Sequence, residues 1–273
     1  MKEDGIGPGQ IIRRQHNGEL EYDRDELTVE EPLEIRIRDE TVATTMRTPG
    51  HDEELAAGFL VSEAIVWPVD KIERFSRPKT ALNRDNVMIV NLAGGKKPSL
   101  RSSQRFGTVS SSCGLCGKKS VEAMRQTFAR IKANSFRIDI ETLLSLPERM
   151  RANQSDFART GGIHAAGIFG RSGQPLIVRE DIGRHNAVDK AIGWAFLDRK
   201  LPLDRHLLLV SGRASFEIMQ KALAGGIPIV ASVSAPSSLA MEFARANNQT
   251  LIGFLRPPSF NIYSHVERVI LES

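Results

Sequence analysis

Cysteine is almost absent from this chain: Cys113 and Cys116 are the only thiols in 273 residues. No apolar run is long enough to span a bilayer, and the opening Met1-Lys2-Glu3-Asp4-Gly5-Ile6-Gly7-Pro8 carries acid without the apolar stretch of a secretory leader. We therefore expect a cytoplasmic protein with no membrane partner. That compartment keeps thiols reduced, so a lone C-x-x-C there belongs to redox, metal or sulfur chemistry rather than to a structural staple. The net charge is +4, yet Lys and Arg form no dense run, which gives nucleic-acid binding little support. Neither G-x-x-x-x-G-K nor G-x-G-x-x-G occurs, which excludes the P-loop and Rossmann fingerprints, and there is no internal repeat or low-complexity tract.

What is present is an ordinary globular composition, 41% hydrophobic and 26% charged, long enough for one large domain or two modest ones. Residues 1–18 are Gly-rich and polar and read as a flexible arm. After it, residues 33–38 alternate apolar and charged side chains, residues 41–46 are β-branched, and Asp39-Glu40 lie between, which predicts a hairpin ended by Pro49-Gly50. Asp52-Glu53-Glu54 puts acid in the first turn of a helix whose apolar face carries Leu55, Phe59, Leu60 and Ile65. Residues 86–92 read as a strand, and the Gly/Lys/Pro/Ser segment 94–103 as a hinge. These pieces make a smaller α+β lobe over 19–105.

From residue 106 onward the pattern changes. Strands at 163–169, 176–178, 207–210, 227–233 and 251–255 alternate with helices at 185–197, 216–224 and 239–246, the rhythm of an α/β layered domain extending to residue 273. Gly225-Gly226 supplies a helix C-cap, and Pro228 belongs at a strand start.

The thiols sit in Ser110-Ser111-Ser112-Cys113-Gly114-Leu115-Cys116-Gly117-Lys118-Lys119. Flanking glycines let backbone N–H groups converge on sulfur, two lysines follow, and a helix is expected from about Lys118; each favours thiolate over thiol. Zinc needs three or four ligands, and no second C-x-x-C or paired-histidine spacing supplies them within one chain, although a site shared across a dimer stays open. A thioredoxin-like disulfide would be expected to carry a proline between the cysteines, where Gly114-Leu115 stand. Two simply packed cysteines are the bland alternative. Sulfur carriage as a persulfide fits best, because a Ser/Gly loop can swing a sulfur from donor to acceptor.

Three further segments carry polar chemistry. Gly161-Gly162-Ile163-His164 joins a glycine turn to a strand, and its lone histidine is more often structural than catalytic. The charged block running from Arg179 through Asp181, Arg184, His185 and Asn186 to Lys190 lies between strand and helix. It is either a solvated helix start capped by Asp181 or Asn186, or a loop facing a ligand. Ser211-Gly212-Arg213-Ala214-Ser215 follows a strand and opens a helix, where backbone N–H groups bind phosphate and Arg213 adds a charged fork. Residues 231–238 repeat that arrangement after the next strand, and two such turns at adjacent strand ends suggest a nucleotide phosphate site.

Together these blocks resemble the FdhD family, the formate dehydrogenase accessory sulfurtransferases, from about residue 31 to 268. The resemblance rests on Met46-Arg47-Thr48-Pro49-Gly50, Asp52-Glu53-Glu54-Leu55-Ala56-Ala57-Gly58-Phe59-Leu60, the Cys113-Gly114-Leu115-Cys116 loop, and Gly162-Ile163-His164. It rests equally on Asp181-Ile182-Gly183-Arg184-His185-Asn186-Ala187-Val188-Asp189-Lys190, Ser211-Gly212-Arg213 and Phe254-Leu255-Arg256. It implies a homodimer whose C-terminal lobe, 106–273, is layered α/β/α like cytidine deaminase. It implies a sulfurtransferase that takes sulfur from a cysteine desulfurase as a persulfide and delivers it to the molybdenum of the bis(molybdopterin guanine dinucleotide) cofactor, which is then inserted into formate dehydrogenase. By the same resemblance Cys113 holds the persulfide and Cys116 assists or relays. Phe254, Leu255, Arg256, Pro257, Pro258 and Ser259 contact the guanine dinucleotide, for which GDP serves as a mimic. Ser211, Gly212 and Arg213 join them on the phosphate argument, and the protein itself binds no metal. The family often has glycines where Pro257 and Pro258 stand; lacking backbone N–H groups, these two cannot donate to a ligand. Deaminase chemistry is not expected, since no Glu stands two residues after His164 and no Pro precedes Cys113. A non-catalytic cofactor chaperone is the alternative function.

Overall fold

A computed structural model of the chain describes residues 5–79, 84–95, 127–132 and 136–271. Cys113 and Cys116, most of the expected hinge and the helix expected from Lys118 lie outside the described residues. Where a loose arm was expected, Ile6–Arg14 (β1) pairs antiparallel with Leu20–Thr28 (β2), from Ile6 opposite Thr28 to Arg14 opposite Leu20. The missed signal is Asn17-Gly18: Gly18 takes φ +90°, and the Gln15 N–H donates to the Glu19 carbonyl to close the turn. A Thr28–Thr160 hydroxyl bond and the Arg159–Glu26 ion pair tie the base of this hairpin to the C-terminal half.

The expected hairpin forms as Glu31–Ile37 (β3) and Glu40–Arg47 (β4). It joins Ile72–Ser76 (β5), which was not anticipated, and Val87–Leu92 (β6) in a sheet of order β4-β3-β6-β5. The acidic-headed helix runs Asp52–Ser62 (α1). Ile65, expected on its apolar face, is buried just beyond its end.

In the second half, Ile138–Asp139 (β7) leads into two unanticipated helices, Ile140–Arg151 (α2) and Ser155–Thr160 (α3). Pro147 inside α2 disguises its pattern, although Asp139 caps it by accepting from the Thr142 N–H at 2.7 Å. The alternation expected downstream then appears: His164–Phe169 (β8), Pro175–Asp181 (β9), Arg184–Leu197 (α4), Leu207–Val210 (β10), Phe216–Ala224 (α5), Ile229–Ser232 (β11), Ser238–Ala246 (α6) and Thr250–Arg256 (β12). Ser259–Ser264 (β13) adds an edge strand, and Val269–Ile270 (β14) pairs with β7. Gly226, at φ +74°, is the left-handed residue that ends α5, and Pro228 directly precedes β11.

The six-stranded sheet has order β13-β12-β11-β10-β8-β9. β10, β11 and β12 are mutually parallel, while β8 is antiparallel to both β10 and β9, so β9 runs with the parallel set. Strand alternation sends Leu208, Val210, Val230 and Leu251 to a core shared with α1, α4, α5 and α6, and Leu207, Leu209, Ile229 and Ile252 to a core shared with α2. Helices thus cover both faces of a mixed sheet, the α/β architecture its strand and helix rhythm predicts. Among the described residues no helix is long and apolar enough to cross a membrane.

Candidate functional site at the carboxyl edge of the sheet

Because β9, β10, β11 and β12 run the same way and β8 runs against them, one edge collects four strand ends and the start of β8. In order across that rim stand Phe254 to Ser259, the loop after β11, Ser211 to Ser215, His164, and the Asp181 to Arg184 turn. Open α/β sheets place ligands at such an edge. The two segments assigned to cofactor binding are therefore brought to one rim, about 10 Å apart as two strand spacings. Nothing can be said in the same way of Cys113 and Cys116.

The two middle loops are stitched together. Ser232 Oγ donates to the Gly212 carbonyl at 2.7 Å and accepts from the Ser234 N–H at 3.0 Å. The Ala214 N–H donates to the Ala235 carbonyl, and the Ser237 N–H returns to the Ala214 carbonyl. Ser215 and Ser237 cap α5 and α6 by accepting from the Ile218 and Ala240 N–H groups. Ser211 is locked to β8, since its Oγ accepts from the Ala165 N–H at 2.9 Å and lies 3.5 Å from His164 Nδ1. At the far end the Phe254 N–H donates to the Ser234 carbonyl, and Arg256 Nε to the Val233 carbonyl. Phe254 takes φ +53° within a bulge of the β12/β13 ladder and is 40% exposed, whereas Leu255 is buried. A bulky side chain held at left-handed φ is costly unless its surroundings demand it, and here the result is an aromatic ring turned out onto the rim. Pro257 and Pro258 make the turn into β13 through a cis peptide.

The charged block after β9 corrects its bland reading. The N-cap of α4 is Gly183, without a side-chain cap, and Asp181, Asn186, Asp189 and Lys190 are buried rather than solvated. Lys190 Nζ meets Asp181 Oδ2 at 2.7 Å and donates to the Thr48 carbonyl, while Asp181 accepts from the Thr48 and Gly183 N–H groups and from Asn186. Arg47 and Arg77 clasp Asp52 in the same region; burial pushes the Asp52 carboxyl up, but the hydrogen bonds and charges of the two guanidinium groups together outweigh it and hold the group below its usual range. The Met46 to Gly50 segment is thereby pinned against the turn that opens α4. Arg184 and His185, between the buried Asp181 and Asn186, lie beside Gly212 and Ser215 on the rim, and neither was assigned a role from the sequence.

His185 Nε2 lies 3.0 Å from Glu217 Oε2 and 3.3 Å from Ser215 Oγ. Burial, together with the charges of Lys221 and Arg184 and with His164, pushes His185 down to about 3. It is neutral at pH 7 and donates to the Glu217 carboxylate. In the unfolded chain it protonates near 6.5, so between 6.5 and about 3 the unfolded state binds the extra proton. Stability attributable to His185 should fall as pH drops through that window, by up to about 1.4 kcal/mol per pH unit. Denaturant unfolding across it should show a shallower pH dependence in His185→Gln, and an unchanged slope would place the acid sensitivity elsewhere.

Compared with known proteins, residues 28–270 match the model of the FdhD/NarQ family. The chain is 48% identical over 252 residues to the sulfur carrier protein FdhD of Mycobacterium tuberculosis, covering 89% of this chain and 91% of that one. With the protein of the same name from Streptomyces avermitilis it shares 47% over 269 residues, covering 96% and 95%. With that of Sulfurisphaera tokodaii it shares 45% over 249 residues, covering 90% and 92%. The crystal structure of a candidate formate dehydrogenase accessory protein from Desulfotalea psychrophila superposes with TM-score 0.76 at 21% identity, covering 98% of this chain and all of that one, a likeness of fold.

Proposed function

The chain belongs to the FdhD/NarQ family, and on that footing we propose that it is a sulfur carrier in which Cys113 takes sulfur from a cysteine desulfurase and delivers it to a molybdenum cofactor bound at the carboxyl edge of the sheet. The observation that carries this reading is the pairing of a single C-x-x-C with a rim that gathers a phosphate-type loop and an outward aromatic. Phe254 offers a face on which a guanine can stack. Two strands away, the Ser211-Gly212-Arg213 turn and the start of α5 offer backbone N–H groups and a guanidinium to a diphosphate. Phe254 to Ser259 shape the base end of the site, with Arg256 fixed by its bond to the Val233 carbonyl.

The sulfur step balances without an outside oxidant. Cys113 thiolate attacks the outer sulfur of the donor's persulfide; a new S–S bond forms, the donor's S–S bond breaks, and the donor leaves as a thiolate. Cys116 thiolate then attacks the Cys113 sulfur and expels the outer sulfur as hydrosulfide, the form a metal centre accepts. The electron pair comes from the two cysteines, which end as a disulfide, and a thiol reductant of the cell restores them. The cofactor is cargo in this scheme, destined for formate dehydrogenase, and the working unit is a homodimer with the cytidine-deaminase-like layering the family resemblance implies.

Incubation with a cysteine desulfurase and cysteine, followed by peptide mass spectrometry with and without reductant, tests the sulfur step. A reductant-labile gain of one sulfur on the Cys113 peptide is expected, lost in Cys113→Ser and longer-lived in Cys116→Ser. No gain, under conditions that load another sulfur acceptor, would overturn it in favour of a cofactor chaperone that performs no chemistry.

A further inference from the structure

One group on the rim has no use in the reading so far. Arg184, first residue of α4, is partly buried, and its Nε is fully shielded without a hydrogen-bond partner. No carboxylate among the described residues pairs with it. A guanidinium nitrogen shielded from water without a partner is a cost that a folded protein tolerates where an anion arrives later.

Its neighbours point the same way. A Cβ placed on Gly212 would lie 3.3 Å from His164 Cε1 and 3.5 Å from Arg184 Cδ, so the Gly212 backbone is cradled between the two basic side chains. Burial and then Arg184 push His164 below its usual range, with Asp181 opposing. Of the other charged groups facing this point, Asp181 is already held by Lys190 and three N–H donors, Glu217 by His185, and Lys221 by Asp189. Glu217 keeps its charge beside the neutral His185, yet no described carboxylate forms an ion pair with Arg184 or His164, the two basic groups that converge on Gly212.

We propose that Arg184 and His164 hold a phosphoryl anion against the Gly212 backbone, an assignment that rests on the nucleotide site proposed above and names where its diphosphate charge is taken. Arg184 supplies the fixed charge, as a fork fitted to phosphate oxygens. His164 accepts a proton as the anion arrives. The exposed Arg213, assigned to this task from the sequence, contributes less, because water screens it.

Titration calorimetry of the full chain with inorganic pyrophosphate, and separately with GDP, decides the matter. Wild type should bind both, with proton uptake visible as a dependence of heat on buffer ionisation enthalpy. Arg184→Met should weaken pyrophosphate about tenfold to a hundredfold, as expected for a charge-assisted hydrogen bond. Arg213→Met should weaken it less, and in His164→Gln proton uptake should vanish; unchanged thermal unfolding of each variant shows that the fold survives. GDP binding that is indifferent to Arg184→Met would overturn the seat while leaving the nucleotide reading intact. Arg184-dependent binding of pyrophosphate with GDP no tighter would keep the seat and overturn the nucleotide reading, and no binding of either would overturn both.

Discussion

Replacing Gly58 with alanine is expected to cost on the order of 4 kcal/mol, which for a chain of this size lowers the thermal midpoint by about 10 °C or prevents folding outright. The cause is local and steric. A Cβ on Gly58 would sit 1.8 Å from the Asp189 carbonyl oxygen, and one on Gly193 would sit 1.8 Å from the Glu54 carbonyl oxygen. Helices ordinarily pack with axes 8–10 Å apart because side chains intervene. Here α1 and α4 cross backbone to backbone at a reciprocal glycine pair. Neither helix can yield cheaply, since the obstructing atoms are main chain and both helices are fixed by buried ion pairs at Asp52 and Lys190. Gly162→Ala, where the nearest atom would be 3.8 Å away, makes the same chemical change without the clash and should stay within about 0.5 kcal/mol of wild type. Differential scanning calorimetry of the two variants checks both numbers. A Gly58→Ala protein as stable as Gly162→Ala would overturn the backbone-to-backbone crossing of α1 and α4.

That crossing also marks where the sequence stops being readable. Periodicity was enough for β3, β4, α4, β10, α5 and α6, because each is a local run whose apolar spacing matches its own geometry. It failed for α2, where Pro147 interrupts the helical pattern, for β1, where two of the half-buried alternate positions are the glycines Gly7 and Gly9, and for β2, whose side chains are almost all exposed. Gly58 and Gly193 sit inside helices, where glycine ordinarily signals only weakness; their purpose is each other, 135 residues apart in the chain. The rim is a similar case. Ser211 to Arg213 was legible as a loop after a strand and Phe254 to Ser259 through the family resemblance, and sheet order brings both to one edge with β11 between them. Arg184 and His164 were visible only as one charge in a charged block and one histidine after a glycine turn. What gives them meaning is that β8 runs antiparallel between β10 and β9, a fact of pairing that no local pattern contains.

Lys221→Met is the second substitution expected to act strongly, and it tests how the scaffold reaches the rim. Lys221 Nζ lies 2.8 Å from both oxygens of Asp189 and 3.0 Å from Ser62 Oγ, joining α5 to α4 and α1 at a point water does not reach. Burial works against its charge, but Asp189 and Glu63 outweigh that and hold Lys221 above its ordinary range. Removing it leaves the Asp189 carboxylate buried with only the Ser62 hydroxyl at 2.7 Å, a loss of about 3–5 kcal/mol. A Lys221→Met/Asp189→Asn double variant carries no orphaned charge, keeps the Ser62 contact, and should recover much of that loss. The same change should be felt at the site. Lys221 is second only to burial in depressing His185, so His185 should titrate above about 3 in Lys221→Met, read by proton NMR of its ring. Recovery in the double variant without a shift at His185 would show a network that holds the helices together and nothing more. Recovery with the shift would show that the buried lysine, whose helix begins at the rim, also sets the protonation of the histidine standing on it.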